Sequence, residues 1–143
     1  MKITYRKATK EDMDYLFVLR KESMTPHIEA VGLIYDDAED INRIEYRFDC
    51  AKIILVDGVI SGLIKVVEEG NEWDLIQIQI DSFLRGQGIG KRVIADILER
   101  AFSNGASVKL SVLRSNPAKE LYEMLGFKLY LVTPTTYEMC ATN

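Results

Sequence analysis

The sequence predicts an α+β fold in which a mixed central sheet is flanked by helices, and three observations carry this prediction. Two apolar runs, Ala51–Val56 and Val59–Val67, enclose Asp57-Gly58, a dipeptide that suits both positive-φ positions of a type I′ hairpin turn. Apolar residues recur at helical spacing over 88–103. The predicted elements follow the order β, two helices, three meandering strands, helix, strand, helix, strand.

The first third of the chain is predicted to contain one short strand, over 3–8, and two helices. Thr9, followed three residues later by Asp12, resembles a capping box that opens the first helix. This helix is expected to end near Pro26, which leaves 26–36 as a loop. The second helix is expected over 37–48, where apolar residues keep helical spacing above a polar face.

After the hairpin, strands and helices are predicted to alternate. Residues 73–80 alternate isoleucines with glutamines, which is typical of a strand with two chemically different faces. The helix over 88–103 is stopped by Asn104-Gly105, and a buried strand follows over 108–113. Asn116-Pro117 supplies a capping residue and a first-turn proline to a short helix that ends at Gly126. Two late strands are expected over 127–132 and 135–140.

The composition indicates one globular domain over residues 1–143, with 48% hydrophobic residues available for a core. The net charge of −4 argues against general nucleic-acid binding and mildly favours a cationic ligand. Cys50 and Cys140 are too few for a disulfide framework, and His27 is the only histidine, so no metal site is expected. No apolar run is long enough for a membrane span and no signal peptide is recognisable, so we expect a cytoplasmic protein.

A glycine-rich segment, Arg85-Gly86-Gln87-Gly88-Ile89-Gly90-Lys91, joins the strand over 73–80 to the helix over 88–103. Its glycines let backbone N–H groups turn toward one point, and a helix N-terminus adds free N–H groups and a partial positive charge. Such a loop suits a phosphate or pyrophosphate. Its spacing differs from both the P-loop and the G-x-G-x-x-G dinucleotide fingerprint. A turn that merely caps the helix is the alternative interpretation.

A second segment, Asn116 to Phe127, lies one helix and one strand further along the chain. Together the two segments resemble the GCN5-related N-acetyltransferase (GNAT) family, whose R/Q-x-x-G-x-G/A signature corresponds here to Arg85-x-x-Gly88-x-Gly90. The predicted order of elements is similar to the family's fold over essentially the whole chain. The alternative for the second segment is a plain apolar helix stripe, with Gly126 as the C-cap and Phe127 in the core.

The resemblance implies acetyl-CoA as the cosubstrate, with its pyrophosphate held by residues 85–91 and no metal. It also implies that the N–H of Ile80 polarises the acetyl carbonyl and that Tyr122 protonates the departing thiolate. Asn116 and Ala118 belong to the same implied cofactor site, with Asn116 near the pantetheine arm. A phenol can fill the acid role because its ordinary pKa is only about 1.5 above that of a thiol.

The general base is less clearly indicated. In the histone-acetyltransferase branch of the family a glutamate near the start of the fourth strand has this role, and ungapped counting back from Arg85 gives Asp74. A solvated residue at the strand end is an equally good interpretation of Asp74, and a bulge in the strand would change the count. Many relatives use a chain of water molecules instead.

Four residues are candidates for binding the acceptor: Glu29 and His27 in the 26–36 loop, Gln77 in the strand and Tyr137 in a late strand. Glu29 suits a substrate ammonium, and His27 suits a proton relay. The alternative, favoured for His27, is that both are solvated loop residues. The glutamine amide cannot serve as a base.

Two functions therefore follow from the sequence. The first is an N-acetyltransferase that moves an acetyl group from acetyl-CoA directly to a primary amine of a small molecule or peptide in a ternary complex. The second is a non-catalytic acyl-CoA-binding sensor or interaction module on the same fold. The sequence does not specify the acceptor, and a homodimer is compatible with it.

Overall fold

The computed structural model describes residues 1–143 and contains one seven-stranded sheet and four α-helices. The strands are β1 (Ile3–Lys7), β2 (Ala51–Val56), β3 (Val59–Val67), β4 (Glu72–Ile80), β5 (Ser107–Leu113), β6 (Lys128–Val132) and β7 (Thr136–Ala141). The helices are α1 (Met13–Ala30), α2 (Asp37–Glu45), α3 (Ile89–Ser103) and α4 (Ala118–Met124). The predicted α+β class, with helices flanking a mixed sheet, is confirmed.

The strand order in the sheet is β1-β2-β3-β4-β5-β7-β6, and every pair is antiparallel except β4 with β5. The parallel pair is short: it joins Glu72 to Ser107 and extends only as far as Leu75 with Leu110. Beyond Leu75, β3 is the only strand that pairs with β4. The sheet is therefore split between β4 and β5 over the second half of both strands.

The hairpin between β2 and β3 has the predicted turn. Asp57 has a φ of 51° and Gly58 a φ of 81°, so both turn residues have the positive φ angles of a type I′ turn. A non-glycine residue tolerates this conformation best when it is Asn or Asp. Asp57 also accepts a hydrogen bond from the N–H of Lys2 at 2.9 Å, which ties the turn to the start of β1.

The two faces of the sheet carry two hydrophobic cores. The larger cluster, of 20 buried residues, packs α3 and α4 against one face, and Val93, Ile94 and Ala101 of α3 are almost fully enclosed in it. The smaller cluster, of seven, packs Leu16 and Leu19 of α1 and Ile44 of α2 against the opposite face. The split between β4 and β5 therefore lies between two well-packed layers.

The predicted end of the first helix is wrong. The helix α1 continues through Pro26 to Ala30, so His27 and Glu29 lie in its last turn and only 31–36 remain as a loop. Two contacts support the helix beyond the proline: Ile28 is buried, and the Ser115 hydroxyl donates a hydrogen bond to the His27 carbonyl at 2.6 Å. Both depend on the tertiary fold, whereas the helix-breaking preference of proline is local.

The second helix ends at Glu45, three residues before its predicted end. Arg47 has a left-handed backbone, with a φ of 48°, and a 3-10 turn over Phe48–Cys50 leads into β2. Asp36 caps the start of α2: its carboxylate accepts a hydrogen bond from the Glu39 N–H at 2.8 Å. Asp is one of the residues preferred at this position.

Candidate functional site

The split in the sheet opens a cleft of about 740 Å³. Its floor consists of residues 74–79 of β4 and 110–113 of β5, and its walls come from α1, α2 and the segment 116–122. Because residues 76–80 have no partner strand on the β5 side, part of their backbone hydrogen-bonding capacity faces this gap. The cleft is large enough for a small-molecule ligand.

A β-bulge shapes the floor of the cleft. Lys65 pairs with Gln77 and Val66 with Leu75, so Ile76 is an extra residue in β4. A bulge bends its strand and increases the local twist. The bulge therefore accompanies the divergence of β4 from β5, which begins at the same place.

The end of β4 lies unusually close to β3. A Cβ atom added to Gly62 would lie 2.3 Å from the carbonyl oxygen of Gln79, so only glycine fits there. Gly62 is also the register partner of Ile80. This close approach fixes the position of the backbone of Ile80 at the end of the cleft.

The glycine-rich loop, residues 85–91, has the free N–H groups expected of an anion site. The N–H groups of residues 86–91 have no acceptor within the chain, and the first backbone hydrogen bond of α3 runs from Arg92 to the Gly88 carbonyl at 3.1 Å. Gly86 and Gly88 have φ angles of 80° and 76°, which only glycine adopts without strain. Ile89 is buried and anchors the start of α3, while the rest of the loop is solvent-accessible.

The loop is connected to its surroundings on two sides. The Arg85 guanidinium donates to the Ser23 hydroxyl of α1 at 3.2 Å. A Cβ atom on Gly90 would make ordinary contacts with Ile80 and Leu121, at 3.9 and 4.0 Å. The predicted residues Arg85, Gly90 and Ile80 are thus brought together at one end of α3, where an anion would meet several N–H donors.

The short helix α4 begins as the sequence predicts. The Asn116 side chain accepts a hydrogen bond from the Ala118 N–H at 3.0 Å. Pro117 follows with a φ of −67°, which suits the first turn of a helix. This cap places Asn116 at the cleft wall.

Tyr122 of α4 is the most deeply buried ionisable residue that lines the cleft on the side of the larger core. Its ring packs edge-on against Phe127, with centroids 5.8 Å apart. Its hydroxyl forms no hydrogen bond within the chain, and burial raises the pKa of Tyr122 to about 12. The phenol therefore stays protonated at neutral pH and has a proton to donate to a ligand.

Asp74 lies in the third position of β4 and is half-buried in the cleft. Burial raises the pKa of Asp74 above its ordinary value, the charge of Lys109 lowers it, and the charges of Glu72 and Glu138 raise it. The Lys109 ammonium pairs with Glu72 at 3.3 Å rather than with Asp74. Asp74 is consequently the one charged residue in the cleft lining with no ion-pair partner within 4 Å.

The wall formed by α1 and α2 is held by paired charges. Arg20 and Asp40, both buried, form an ion pair at 2.9 Å, and Lys21 joins Asp40 at 2.6 Å. On the cleft side of α2, Arg43 bonds to Glu39 at 2.9 Å and to the Tyr35 hydroxyl at 3.0 Å. Sequence reasoning did not identify these ion pairs, although Glu39, Asp40 and Arg43 all lie in the predicted second helix.

A buried lysine holds the end of α2. Lys65 is fully enclosed, and its ammonium donates to the carbonyls of Arg43, Ile44 and Tyr46 at 3.2, 2.8 and 2.6 Å. The amide nitrogen of Gln77, its register partner, also donates to the Arg43 carbonyl at 3.2 Å. These bonds satisfy carbonyls that a helix end leaves free. Burial, followed by the charge of Arg20, lowers the pKa of Lys65 to about 8.

The structure brings four of the predicted site residues into one cleft: Asp74, Gln77, Asn116 and Tyr122. The residues that line this cleft do not include His27, Glu29 or Tyr137. His27 and Glu29 lie at the end of α1. The Tyr137 ring instead forms a cation–π contact with the Lys119 ammonium, which lies 4.8 Å from the ring centroid.

Lys65 was missed although the sequence contained a signal. It interrupts the apolar run of β3, Leu63-Ile64-Lys65-Val66-Val67, at a position that alternation assigns to the same face as Leu63. A charged residue inside such a run is buried only when it is paired or hydrogen-bonded. Identifying its partners required the tertiary structure.

The structure contains neither a cluster of metal-ligating side chains nor a long apolar helix. No group of three or more His, Cys, Asp or Glu side chains is arranged to hold a metal ion. None of the helices combines the length and the apolar character that crossing a membrane requires.

The chain matches the sequence model of the acetyltransferase (GNAT) family over residues 14–127. It is also similar to N-acetylaspartate synthetase of Rattus norvegicus, with 34% identity over 101 residues that make up 66% of this chain and 34% of the rat protein. The human protein of the same name gives the same identity over 33% of its length. The matched stretch thus spans only about a third of these relatives.

Solved structures share the fold over the full chain. The PaiA N-acetyltransferase of Thermoplasma acidophilum in complex with coenzyme A superposes with a TM-score of 0.75, at 19% identity and 100% coverage of both chains. An Arabidopsis thaliana protein in complex with the bisubstrate analogue CoA-Ac-MVNAL gives a TM-score of 0.68, at 14% identity and 100% coverage of both chains. At such low identity the likeness concerns the fold.

Proposed function

Because the chain belongs to the acetyltransferase (GNAT) family, we propose that it transfers an acetyl group from acetyl-CoA directly to a primary amine within a ternary complex. The observation that carries this proposal is the set of functional groups around the split between β4 and β5. Six unpartnered N–H groups lie at the start of α3, and a protonated, buried tyrosine and an unpaired carboxylate line the adjoining cleft. These groups match the needs of acyl transfer.

We assign the pyrophosphate of acetyl-CoA to residues 85–91, where the free N–H groups and the helix N-terminus favour an anion. Arg85, Gln87 and Lys91 extend side chains from the same loop. The backbone of Ile80, fixed by the close approach at Gly62, is assigned to the acetyl carbonyl. Asn116 and Ala118, joined by the capping bond of α4, belong to the same cosubstrate site.

The amine must lose a proton before it attacks. A primary ammonium of ordinary pKa about 10.4 costs about 5 kcal/mol to deprotonate at pH 7. Asp74 is suited to this step because its pKa is raised by burial, which makes its carboxylate a stronger base, and because no other residue neutralises it. The same negative charge attracts the ammonium into the cleft. Asp74 lies six residues before Ile80 in β4, about 20 Å along the strand, so a chain of water molecules connects it to the attacking amine.

We assign to Tyr122 the role of general acid, which donates a proton to the leaving thiolate. With the pKa of Tyr122 raised to about 12, transfer to a thiolate of ordinary pKa about 8.5 is uphill by about 5 kcal/mol. This is more than twice the cost for an unburied tyrosine. Protonation that is concerted with cleavage of the C–S bond avoids a free thiolate as an intermediate.

Direct transfer is favoured over an acetyl-cysteine intermediate by the positions of the two cysteines. Cys50 lies beside Arg47 and Asp49, and burial raises the pKa of its thiol. Cys140 is in β7. Neither cysteine lines the cleft, so neither is placed to receive the acetyl group there.

The similarity to N-acetylaspartate synthetases suggests an amino acid as one acceptor to test. We include L-aspartate with polyamines and small primary amines in the acceptor screen. His27, Glu29 and Tyr137 remain proposed acceptor contacts only for substrates that extend beyond the cleft. Gln77 is proposed to act through the end of α2, because its amide nitrogen is bonded there.

The first experiment is calorimetric titration with acetyl-CoA of the wild type, the Gly88→Glu variant and the Gly70→Glu variant. Gly88→Glu brings a carboxylate to the anion site and should abolish binding. Gly70 is a matched control, because it also has a positive φ, 64° against 76°, and open space around it. Gly70→Glu should therefore bind acetyl-CoA normally.

Turnover is then measured as thiol release in the acceptor screen. Release that requires both acetyl-CoA and an amine supports the transferase. Binding of acetyl-CoA with no turnover against any amine would favour the non-catalytic sensor. A folded wild type that does not bind acetyl-CoA would refute both functions.

A further inference from the structure

The two edges of the sheet differ in how they are protected. The strands β1 and β6 form the edges. The edge at β1 carries Arg6 and Lys7, with Lys2 just before the strand. All five residues of β6 are exposed, and four of them, Leu129 to Val132, are apolar or aromatic with exposed fractions between 45% and 58%. Lys128 is the only charge in β6.

Exposed edges of native sheets usually carry charges, prolines or a covering segment, because unpaired N–H and C=O groups invite another strand. The strand β6 has no proline and only one charge, at its first residue, so its protection is limited to that charge and a single bulge at Tyr130. Its exposed fractions show that no segment of the chain covers it. An apolar edge of this kind is typical of a surface that pairs with another strand.

We propose that β6 pairs antiparallel with β6 of a second copy of this chain, about a twofold axis at Tyr130. In this register Leu129 lies opposite Leu131 of the second copy, and Lys128 lies opposite Val132. The sequence of β6 is therefore self-complementary, with apolar residues opposite each other at its centre. A twofold contact uses the same surface on both copies and closes after two chains.

The charges favour this arrangement over the other edge pairings. In the antiparallel register the two Lys128 residues are about four residues apart along the strands, or about 13 Å, which exceeds the Debye length of about 8 Å at physiological salt. A parallel pairing would bring the two Lys128 side chains within about 5 Å of each other. Pairing β6 with β1 of another copy would bring Lys128 to an edge that already carries Lys2, Arg6 and Lys7.

The pairing has a consequence for the cleft. The strand β7 lies between β5 and β6, and its Thr136 lines the cleft. The twofold contact would turn β6 from an edge into an interior strand and so stabilise the outer side of β7. This inference rests on the surface of β6 and does not depend on the proposed transferase activity.

The first test is the mass of the wild type in solution, measured by analytical ultracentrifugation over a wide range of concentration. We expect a dimer. The Leu131→Lys variant, which puts like charges near the twofold axis, should be a folded monomer. Ile34→Lys is the matched control, because Ile34 is a 91% exposed apolar residue in the loop between α1 and α2, and this variant should remain a dimer. Thermal unfolding of each variant checks that it is folded.

The second test locates the contact. A Tyr130→Cys variant is made in a Cys50→Ser, Cys140→Ser background and treated with oxidised glutathione, which accepts the two electrons of the new disulfide. Residues that face each other across the axis have Cα atoms about 4.5 to 5.5 Å apart, within the range of a disulfide. A covalent dimer is expected for Tyr130→Cys, and none for Val59→Cys, an exposed position at the start of the interior strand β3.

Three outcomes would overturn the proposal. One is a wild type that stays monomeric at every concentration. Another is a dimer that survives Leu131→Lys, which would place the contact elsewhere. The third is growth into species larger than a dimer, which would indicate open pairing between β6 and β1.

Discussion

Two parts of the candidate site are built in different ways. The first, which we call the cosubstrate wall, is the glycine-rich loop at the start of α3; it presents the backbone N–H groups of residues 86–91, and its shape follows from the φ angles of neighbouring glycines. The second, which we call the acceptor wall, is the α2 side of the cleft, and it is held by side chains from distant parts of the chain. The Lys65 ammonium bonds to Ile44, 21 residues away, and the Gln77 amide bonds to Arg43, 34 residues away.

This difference predicts different effects of substitution in the two parts of the site. A backbone site recognises a group, such as a pyrophosphate, that has the same shape in every complex. A wall of side chains held by ion pairs and buried bonds changes with single substitutions. We therefore expect substitutions near the start of α3 to alter cosubstrate binding, and substitutions around α2 to alter the choice of acceptor.

The largest expected effect belongs to Tyr122 of α4, which lines the cleft. The Tyr122→Phe variant should lower kcat by roughly 10² to 10⁴, the usual range for loss of a general acid, because it removes the proton and leaves the ring packing on Phe127 intact. The affinity for acetyl-CoA, measured by calorimetry, should stay the same. An equal loss of affinity and rate would assign Tyr122 to the cosubstrate wall and remove its acid role.

The sequence predicted most of the local structure. The type I′ turn at Asp57-Gly58, the cap at Asn116 and the helix α3 depend on neighbouring residues, and all three are present. The predicted end of α1 was wrong because the burial of Ile28 and the hydrogen bond from Ser115 support the helix beyond Pro26.

The acceptor wall could not be predicted in the same way. A single sequence does not indicate that β4 and β5 separate after Leu75, because this depends on the pairing register and on the bulge at Ile76. The role of Lys65 likewise depends on where α2 ends relative to β3. Both features come from contacts between elements distant in the sequence.

The next prediction tests whether the cosubstrate wall depends only on its own loop or also on the contact between β3 and β4. The Gly62→Ala variant places a Cβ atom 2.3 Å from the Gln79 carbonyl oxygen, so β3 and β4 must move apart. We expect a loss of about 1 to 3 kcal/mol in the free energy of unfolding, typical of overpacking, measured by urea denaturation. Weaker polarisation at the displaced Ile80 should also lower kcat.

The matched variant is Gly90→Ala, within the glycine-rich loop itself. Its Cβ atom would make only ordinary contacts, at 3.9 and 4.0 Å, and Gly90 has a helical backbone. We expect its free energy of unfolding and its affinity for acetyl-CoA to match the wild type or to rise by up to about 0.5 kcal/mol. If Gly90→Ala were the more damaging change, the wall would depend more on its loop than on the contact with β3.

A smaller predicted effect, and the sharpest test of the acceptor wall, comes from Lys65→Met. The variant keeps the length of the side chain but removes the donors to three carbonyls, so the end of α2 is no longer held from β3. We expect the KM for the amine to rise by roughly tenfold through misplacement of this wall, with the Kd for acetyl-CoA unchanged. Lys52→Met, at an exposed lysine on the neighbouring strand β2, is the control and should leave both constants unchanged.

A stability measurement tests the same lysine without any substrate. The pKa of Lys65 is lowered to about 8, whereas the unfolded chain keeps the ordinary value of about 10.4. Between these values the unfolded chain binds one more proton than the folded protein, so the free energy of unfolding rises with pH. Measured by urea denaturation, the difference between wild type and Lys65→Met should shift in favour of the wild type by about 3 kcal/mol across this interval. A pH-independent difference would mean that Lys65 stays charged in the fold, and the end of α2 would then be held by a permanent ammonium.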